Sequence, residues 1–292
     1  MLVRVFTPFT ACDGENLALY SWQPEDSIDR PTRPDTLVCG VVLIVHGLGE
    51  HAGRYDHVAN SLHSWGFEVR AYDQRGHGES GGKRGALPTS MALLDDLAEV
   101  VDSVRKQYPG LPLILLGHSM GGLVVGRFVS LRIRPVDGLV MSSPALDAGI
   151  GPLQKLLLEV LPRMAPNLAV SNGLDVNFTS HDQEVVKAYA ADRLVHNKIS
   201  PRLGQFIADA GPSVVAAAAN WRVPTLLMYA GADKLVNPAG SDAFAKLAIT
   251  SKTVKPGTVT VKRFDGYYHE LFNELDATPV FELLAKWLDA RF

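Results

Sequence analysis

Cysteine is scarce in this 292-residue chain. Cys12 and Cys39 are the only two, which excludes a disulfide framework and any four-cysteine metal site and leaves a single bridge formally possible. A basic excess is also missing. Lys plus Arg number 28 against 31 Asp plus Glu, a net charge of −3, so nothing in the composition favours a broad phosphate footprint and nucleic acid is not an expected partner. The longest apolar stretch, Leu37 to Val45, is interrupted by Gly40 and falls far short of the roughly 20 residues that span a bilayer. No run near the N-terminus suits a signal peptide. H-E-x-x-H and paired-histidine spacings are absent, so no catalytic metal is expected, and no other cofactor either. These absences together predict a soluble, cytoplasmic protein without a transmembrane segment.

What is present is an ordinary packed composition, 47% hydrophobic and 20% charged. Leu2 to Thr7 and Leu17 to Gln23 read as two strands about a turn, and 24–35, with Pro31 and Pro34, as a surface loop. Val41 to Val45 has the unbroken apolar character of a strand buried on both faces. From there strands and helices alternate. Strands are expected over Glu68 to Tyr72, Leu113 to Leu116 and Gly138 to Met141, with helices over Tyr55 to Trp65, Ser90 to Tyr108 and Met120 to Leu131. This order predicts an α/β fold with a mostly parallel central sheet, helices on both faces and functional groups at the strands' C-terminal ends.

The alternation stops near Ser143 and resumes with strand Thr225 to Tyr229, helix Ser241 to Ile249, strand Thr258 to Phe264 and helix Pro279 to Phe292. The chain therefore divides into a core domain, 1–143 and 225–292, and an inserted helical cap, 144–224, that adds helices but no convincing strand. Within the insertion, Leu153, Leu156, Leu157, Val160, Leu161 and Met164 fall at helical spacing on one face. That face either docks on the sheet domain, or it walls a binding tunnel or touches a lipid surface.

Gly117-His118-Ser119-Met120-Gly121 fits the G-x-S-x-G pattern, and it follows an apolar strand and opens a helix. The setting matters more than the string. A serine in a sharp strand-to-helix turn is forced to positive φ, and glycines two residues either side remove the Cβ atoms that would collide there. Such a hydroxyl needs a base, and the base needs an orienting acid. His269, just past the last strand, is the candidate base. Asp233, after strand Thr225 to Tyr229, is the preferred acid, with Asp242 and Asp265 as competitors. The order Ser119, Asp233, His269 matches that of the α/β-hydrolases.

The strings GHSMGG, HGLGEHAGRY, YDQRGHGESGG and YYHELFNE resemble those of the monoacylglycerol lipase and lysophospholipase branch of the α/β-hydrolases, often grouped as serine aminopeptidase S33-like hydrolases. The resemblance runs from about Leu17 to Leu288 and is weakest in the insertion. It implies the α/β-hydrolase fold and a serine carboxylester hydrolase acting through an acyl-enzyme on a small acyl ester or monoacylglycerol. A lysophospholipase and a broad carboxylesterase are the near alternatives, and a hydrolase-fold ligand receptor with little turnover is the distant one. The resemblance also implies an oxyanion hole from the backbone N–H groups of Leu48 and Met120, and substrate-binding roles for Glu50, His51, Arg54 and the cap residue Tyr189. Asp73 to Ser80 matches a turn that the family uses to brace the loop behind the serine. At Asp192-Arg193-Leu194 the chain departs from the family's Asp-Pro-Leu, which leaves the cap geometry open.

One competing motif is instructive. Gly47 to Ala52 fits G-x-G-x-x-A after a strand and before a helix, nearly a dinucleotide-binding fingerprint, but Glu50 would set a carboxylate beside the pyrophosphate.

Overall fold

A computed structural model of the chain describes residues 2–25, 38–149 and 151–292, and for 152–156 the backbone alone. Most of the loop expected over 24–35 lies outside these residues. Eight strands form one sheet. They are β1 (Leu2–Thr10), β2 (Asn16–Pro24), β3 (Gly40–Val45), β4 (Phe67–Tyr72), β5 (Leu113–His118), β6 (Gly138–Ser142), β9 (Thr225–Ala230) and β10 (Val259–Phe264). Their spatial order is β1-β2-β4-β3-β5-β6-β9-β10, and only the β1–β2 and β2–β4 pairs are antiparallel. Every residue of β3, β5, β6 and β9 is buried. Strands covered on both faces need apolar side chains on both, which is why these segments read as continuous rather than alternating runs.

The sheet sides carry separate cores. Val42, Ile44, Ile114, Leu116 and Met228 face helices α1 (Asp56–Ser64) and α8 (Thr278–Asp289), which insert Val58, Leu62, Val280, Leu284 and Trp287. Leu43, Val45, Leu115, Met141 and Leu227 face α2 (Ala92–Gln107), α3 (Met120–Ser130) and α7 (Ala239–Thr250) through Leu97, Val101, Leu123, Phe128 and Phe244. Neighbouring residues of one strand serve opposite cores, so the period of two survives inside an all-apolar run. Cys12 and Cys39 are both free.

Between β6 and β9 lie α4 (Pro152–Met164), β7 (Val170–Ser171), α5 (Gln183–Ala191), β8 (Lys198–Ile199) and α6 (Pro201–Ala217). Contrary to the expectation of a strandless segment, β7 and β8 pair antiparallel. Two residues each are too few to carry a periodic signal. Helix α6 sends Leu203, Phe206, Ile207, Ala210 and Val214 into the same core as α3, so the last part of 144–224 packs as a helix of the sheet domain. On α4, Leu157, Val160, Leu161 and Met164 are exposed, at 45, 46, 36 and 78%, so these four do not dock on the sheet. The side chains of Leu153 and Leu156 lie outside the described residues.

Candidate active site

β5 runs directly into α3 through Ser119, whose backbone sits at φ 54°, ψ −119°. A side chain there costs about 1–3 kcal/mol of backbone strain. The surroundings enforce it. The Ser119 amide donates to the Ser142 carbonyl of β6 at 3.0 Å, and the Ser119 carbonyl accepts from Leu123 and Ala145 amides at 3.0 Å each. A Cβ on Gly121 would overlap the Val45 and His46 carbonyl oxygens, and one on Gly117 would stand 2.5 Å from the Gly121 oxygen. β3, β5 and α3 thus approach so closely that only glycine fits at these points.

Asp233 lies just beyond β9 and His269 just beyond β10, so adjacent parallel strands deliver the two to one end of the sheet. The structure brings them together: His269 Nδ1 donates to Asp233 Oδ2 at 2.6 Å, with both side chains almost fully buried. Asp233 Oδ1 accepts from the Leu235 and Val236 amides at 2.8 and 2.9 Å. Burial by itself would raise this carboxyl's pKa; His269 and the two amides hold it below the ordinary value. Burial likewise opposes the His269 imidazolium, yet the Asp233 carboxylate beside it raises its pKa above the usual histidine value. With Nδ1 donating, the neutral ring presents its lone pair at Nε2. The competitors go elsewhere: Asp242 accepts from Tyr229 and pairs with Arg263, and Asp265 pairs with Arg263 at 2.7 Å on the surface.

Among the described residues no hydrogen bond joins Ser119 Oγ to His269. Their neighbourhood is nevertheless shared, because the His118 ring, one residue from the serine, lies 4.7 Å from the His269 ring. Unliganded sites commonly hold this bond long and tighten it with substrate. Burial, then His269, push His118 down to about 4, so this second imidazole stays neutral.

The turn after β3 brings Leu48 alongside. A Cβ on Gly47 would lie 3.2 Å from the Ser119 Cβ, so the two turns are in contact. Met120 opens α3, where a helix offers its first amides no internal acceptor. The loop after β4 braces the Leu48 turn from behind. Gln74 donates its amide to His46 Nε2 at 2.9 Å and its side chain to the His46 carbonyl at 2.6 Å, while Asp73 accepts the Ala52 amide at 2.7 Å. The braced element is therefore the glycine turn bearing Leu48. From the cap, the His196 amide donates to the Gly49 carbonyl at 2.8 Å.

Glu50, Arg54 and Tyr189 meet beside this turn. Glu50 accepts from the Gly47 amide at 2.5 Å, Tyr55 at 2.7 Å and Arg54 at 2.6 Å. It thereby occupies an amide that the dinucleotide reading would leave for a phosphate. Arg54 continues to Glu270 with two bonds of 2.8 and 2.7 Å and lies 4.5 Å from the centre of the Tyr189 ring. Burial would raise Glu50, but Arg54 and its neighbours bring it down to about 2; Glu270 is lowered for the same reason. His51 Nε2 instead reaches the cap, donating to Asp192 at 2.8 Å. Glu270 stands in the YYHELFNE string but is given no role by the sequence pattern. Its position next to His269 is a visible signal, but its partner Arg54 is 216 residues away.

The family model described as serine aminopeptidase, S33 matches residues 37–276. A monoacylglycerol lipase of Mycolicibacterium smegmatis is 37% identical over 258 residues, 87% of this chain and 90% of that protein. The phospholipase YtpA of Bacillus subtilis is 30% identical over 275 residues, 93% of this chain and 99% of that protein. The crystal structure of the Paleococcus ferrophilus monoacylglycerol lipase superposes with a TM-score of 0.78 at 32% identity, covering 100% of both chains.

Proposed function

Because the chain belongs to the serine aminopeptidase S33 family of α/β-hydrolases, we propose that it is a serine carboxylester hydrolase of the monoacylglycerol lipase type, cleaving fatty-acyl glycerol esters to fatty acid and alcohol. Ser119 Oγ attacks the ester carbonyl as His269 Nε2 takes its proton. Asp233 holds the imidazole and stabilises the imidazolium. The Leu48 and Met120 amides receive the developing oxyanion, each contributing about 3 kcal/mol to the transition state. Collapse expels the alcohol, which leaves with the proton from His269. Water activated by the same histidine then releases the acid from Ser119. The buried Asp233–His269 hydrogen bond at the end of the sheet that carries a positive-φ serine is the observation that supports this reading most.

Glu50, His51, Arg54 and Tyr189 form the polar wall for the alcohol. Glu50, Arg54 and His51 are already committed to Gly47, Glu270 and Asp192, so they hold the wall's shape. The exposed apolar residues of α4 touch lipid peripherally, and the protein works in the cytoplasm without nucleic acid or a cofactor. No helix among the described residues is long and apolar enough to cross a membrane.

Similarity to a phospholipase favours one second reading, a lysophospholipid substrate. Initial rates of oleate release from monooleoylglycerol and from oleoyl lysophosphatidylcholine, each beside Ser119→Ala, decide between them. Faster, Ser119-dependent release from the glyceride supports the proposal. Release only from the phospholipid transfers it to the second reading, and no release from either leaves a broad carboxylesterase or a ligand receptor.

A further inference from the structure

The segment between β7 and α5 is laid across the loop that carries His269. The His269 amide points to the Phe178 carbonyl at 3.5 Å, and the Glu270 amide donates to the Thr179 carbonyl at 2.8 Å. Ser180 Oγ donates to the Asn273 carbonyl at 2.7 Å. Tyr268, immediately before the histidine, is held from two directions. The His181 ring stacks on it at 3.6 Å and 20°, and Phe178 meets it edge-on at 5.7 Å.

A single carboxylate ties these pieces together. The Glu274 side chain is only 4% exposed, and its Oε1 accepts from the Tyr268 amide at 2.6 Å and from His181 Nδ1 at 2.9 Å. Its Oε2 accepts from the His181 amide at 3.3 Å. The one carboxylate therefore grips both the histidine loop and the segment crossing it.

We propose that His181 and Glu274 form a strap that positions His269, so that the inserted segment sets the geometry of the base as well as covering the site. The proposal rests on the reading of His269 as the general base. The chain from β10 to α8 has no regular structure beyond a single 3-10 turn, Leu271–Asn273. Among the described residues the imidazole is anchored at one ring nitrogen, by Asp233. The backbone that carries the ring is held by the strap. Neither His181 nor Glu274 reaches the reacting atoms, so both act through the loop. A catalytic group displaced by about 1 Å loses on the order of a hundredfold in rate.

His181 is the residue to change, since its side chain is 39% exposed and its removal leaves both cores intact. With the full chain and p-nitrophenyl butyrate, His181→Ala is expected to lower kcat by about 10- to 100-fold and leave KM within about twofold. Inactivation of Ser119 by a fluorophosphonate should slow in parallel. His181→Gln, which restores a donor to Glu274, should recover part of the loss, and Glu274→Gln should reproduce it. Thermal unfolding of each variant verifies that a folded protein is being assayed. Unchanged kcat and inactivation rate in folded His181→Ala overturn the strap, and so does a change confined to KM. His269→Ala is run alongside: if it keeps normal turnover, the base assignment itself has failed.

Discussion

In the proposed mechanism Ser119 and His269 act on the same proton, so removing either should cost nearly as much as removing both. Ser119→Ala and His269→Ala are each expected to lower turnover by several orders of magnitude in a monooleoylglycerol assay, with thermal midpoints close to that of the parent. Asp233→Asn keeps the shape of the site but offers an N–H to the ring, favouring the wrong tautomer, and should reduce kcat by about 10⁴. Near-normal turnover in that variant would return the acid role to Asp242 or Asp265. Leu48→Ala should keep most activity, because the donor there is main chain. pH adds a sign. In the proposed mechanism His269 works only when neutral, and its pKa is raised, so kcat/KM should fall on the acid side with a midpoint above about 6.5, the ordinary histidine value. At this scale the sequence offered one candidate nucleophile, Ser119, and one candidate base, His269, each marked by its own motif. It offered Asp233, Asp242 and Asp265 for the acid, and the short distance to His269 belongs to Asp233 alone.

The elbow is an element whose glycines do different work from its serine. Gly121 faces the Val45 and His46 carbonyls at the point where α3 meets β3, so Gly121→Ala must push helix and strand apart. Overpacking of this kind costs about 1–3 kcal/mol. Lower yield or a lower unfolding midpoint in denaturant, together with lost activity, is the expected outcome; a parent-like midpoint would mean that the contact relaxes freely. On helix α4 the exposure of Leu157, Val160, Leu161 and Met164 leaves an apolar face that no element among the described residues covers. If that face meets lipid, Leu157→Asp should lower the rate on long-chain glycerides and spare short soluble esters, whereas equal loss on both would count against lipid contact. The amphipathic pattern of α4 was legible, but its partner was not, since periodicity reports a face and not what the face touches. The two-residue strands β7 and β8 were invisible for the same reason of length.

Over the whole molecule, stability should fall as the solution is acidified. Burial pushes the pKa values of His46, His77, His118 and His196 below the ordinary value. The unfolded chain therefore binds protons at these sites before the folded one does, and stability is lost as pH drops from about 6.5 toward the lowered values. The depressed carboxyls Glu50, Glu270 and Asp233 act lower still, their contribution being complete above the ordinary carboxylate range and lost as pH falls through their folded values. His269 opposes the trend, since its raised pKa contributes stability below about 6.5 that is lost at higher pH. Calorimetric midpoints declining steadily from pH 7 to pH 4 are expected; a flat profile would mean that these histidines are hydrated in solution. The sequence by itself determined the α/β class, most element positions and the elbow, because these depend on apolar runs, glycine spacing and chain order within a few dozen residues. Tertiary structure alone decided that Arg54 clamps Glu270, that α6 joins the sheet domain, and that Phe178 and Thr179 cross the histidine loop. Each joins residues that local pattern treats independently, and only closure of the sheet and docking of the inserted segment bring them within hydrogen-bonding or packing distance.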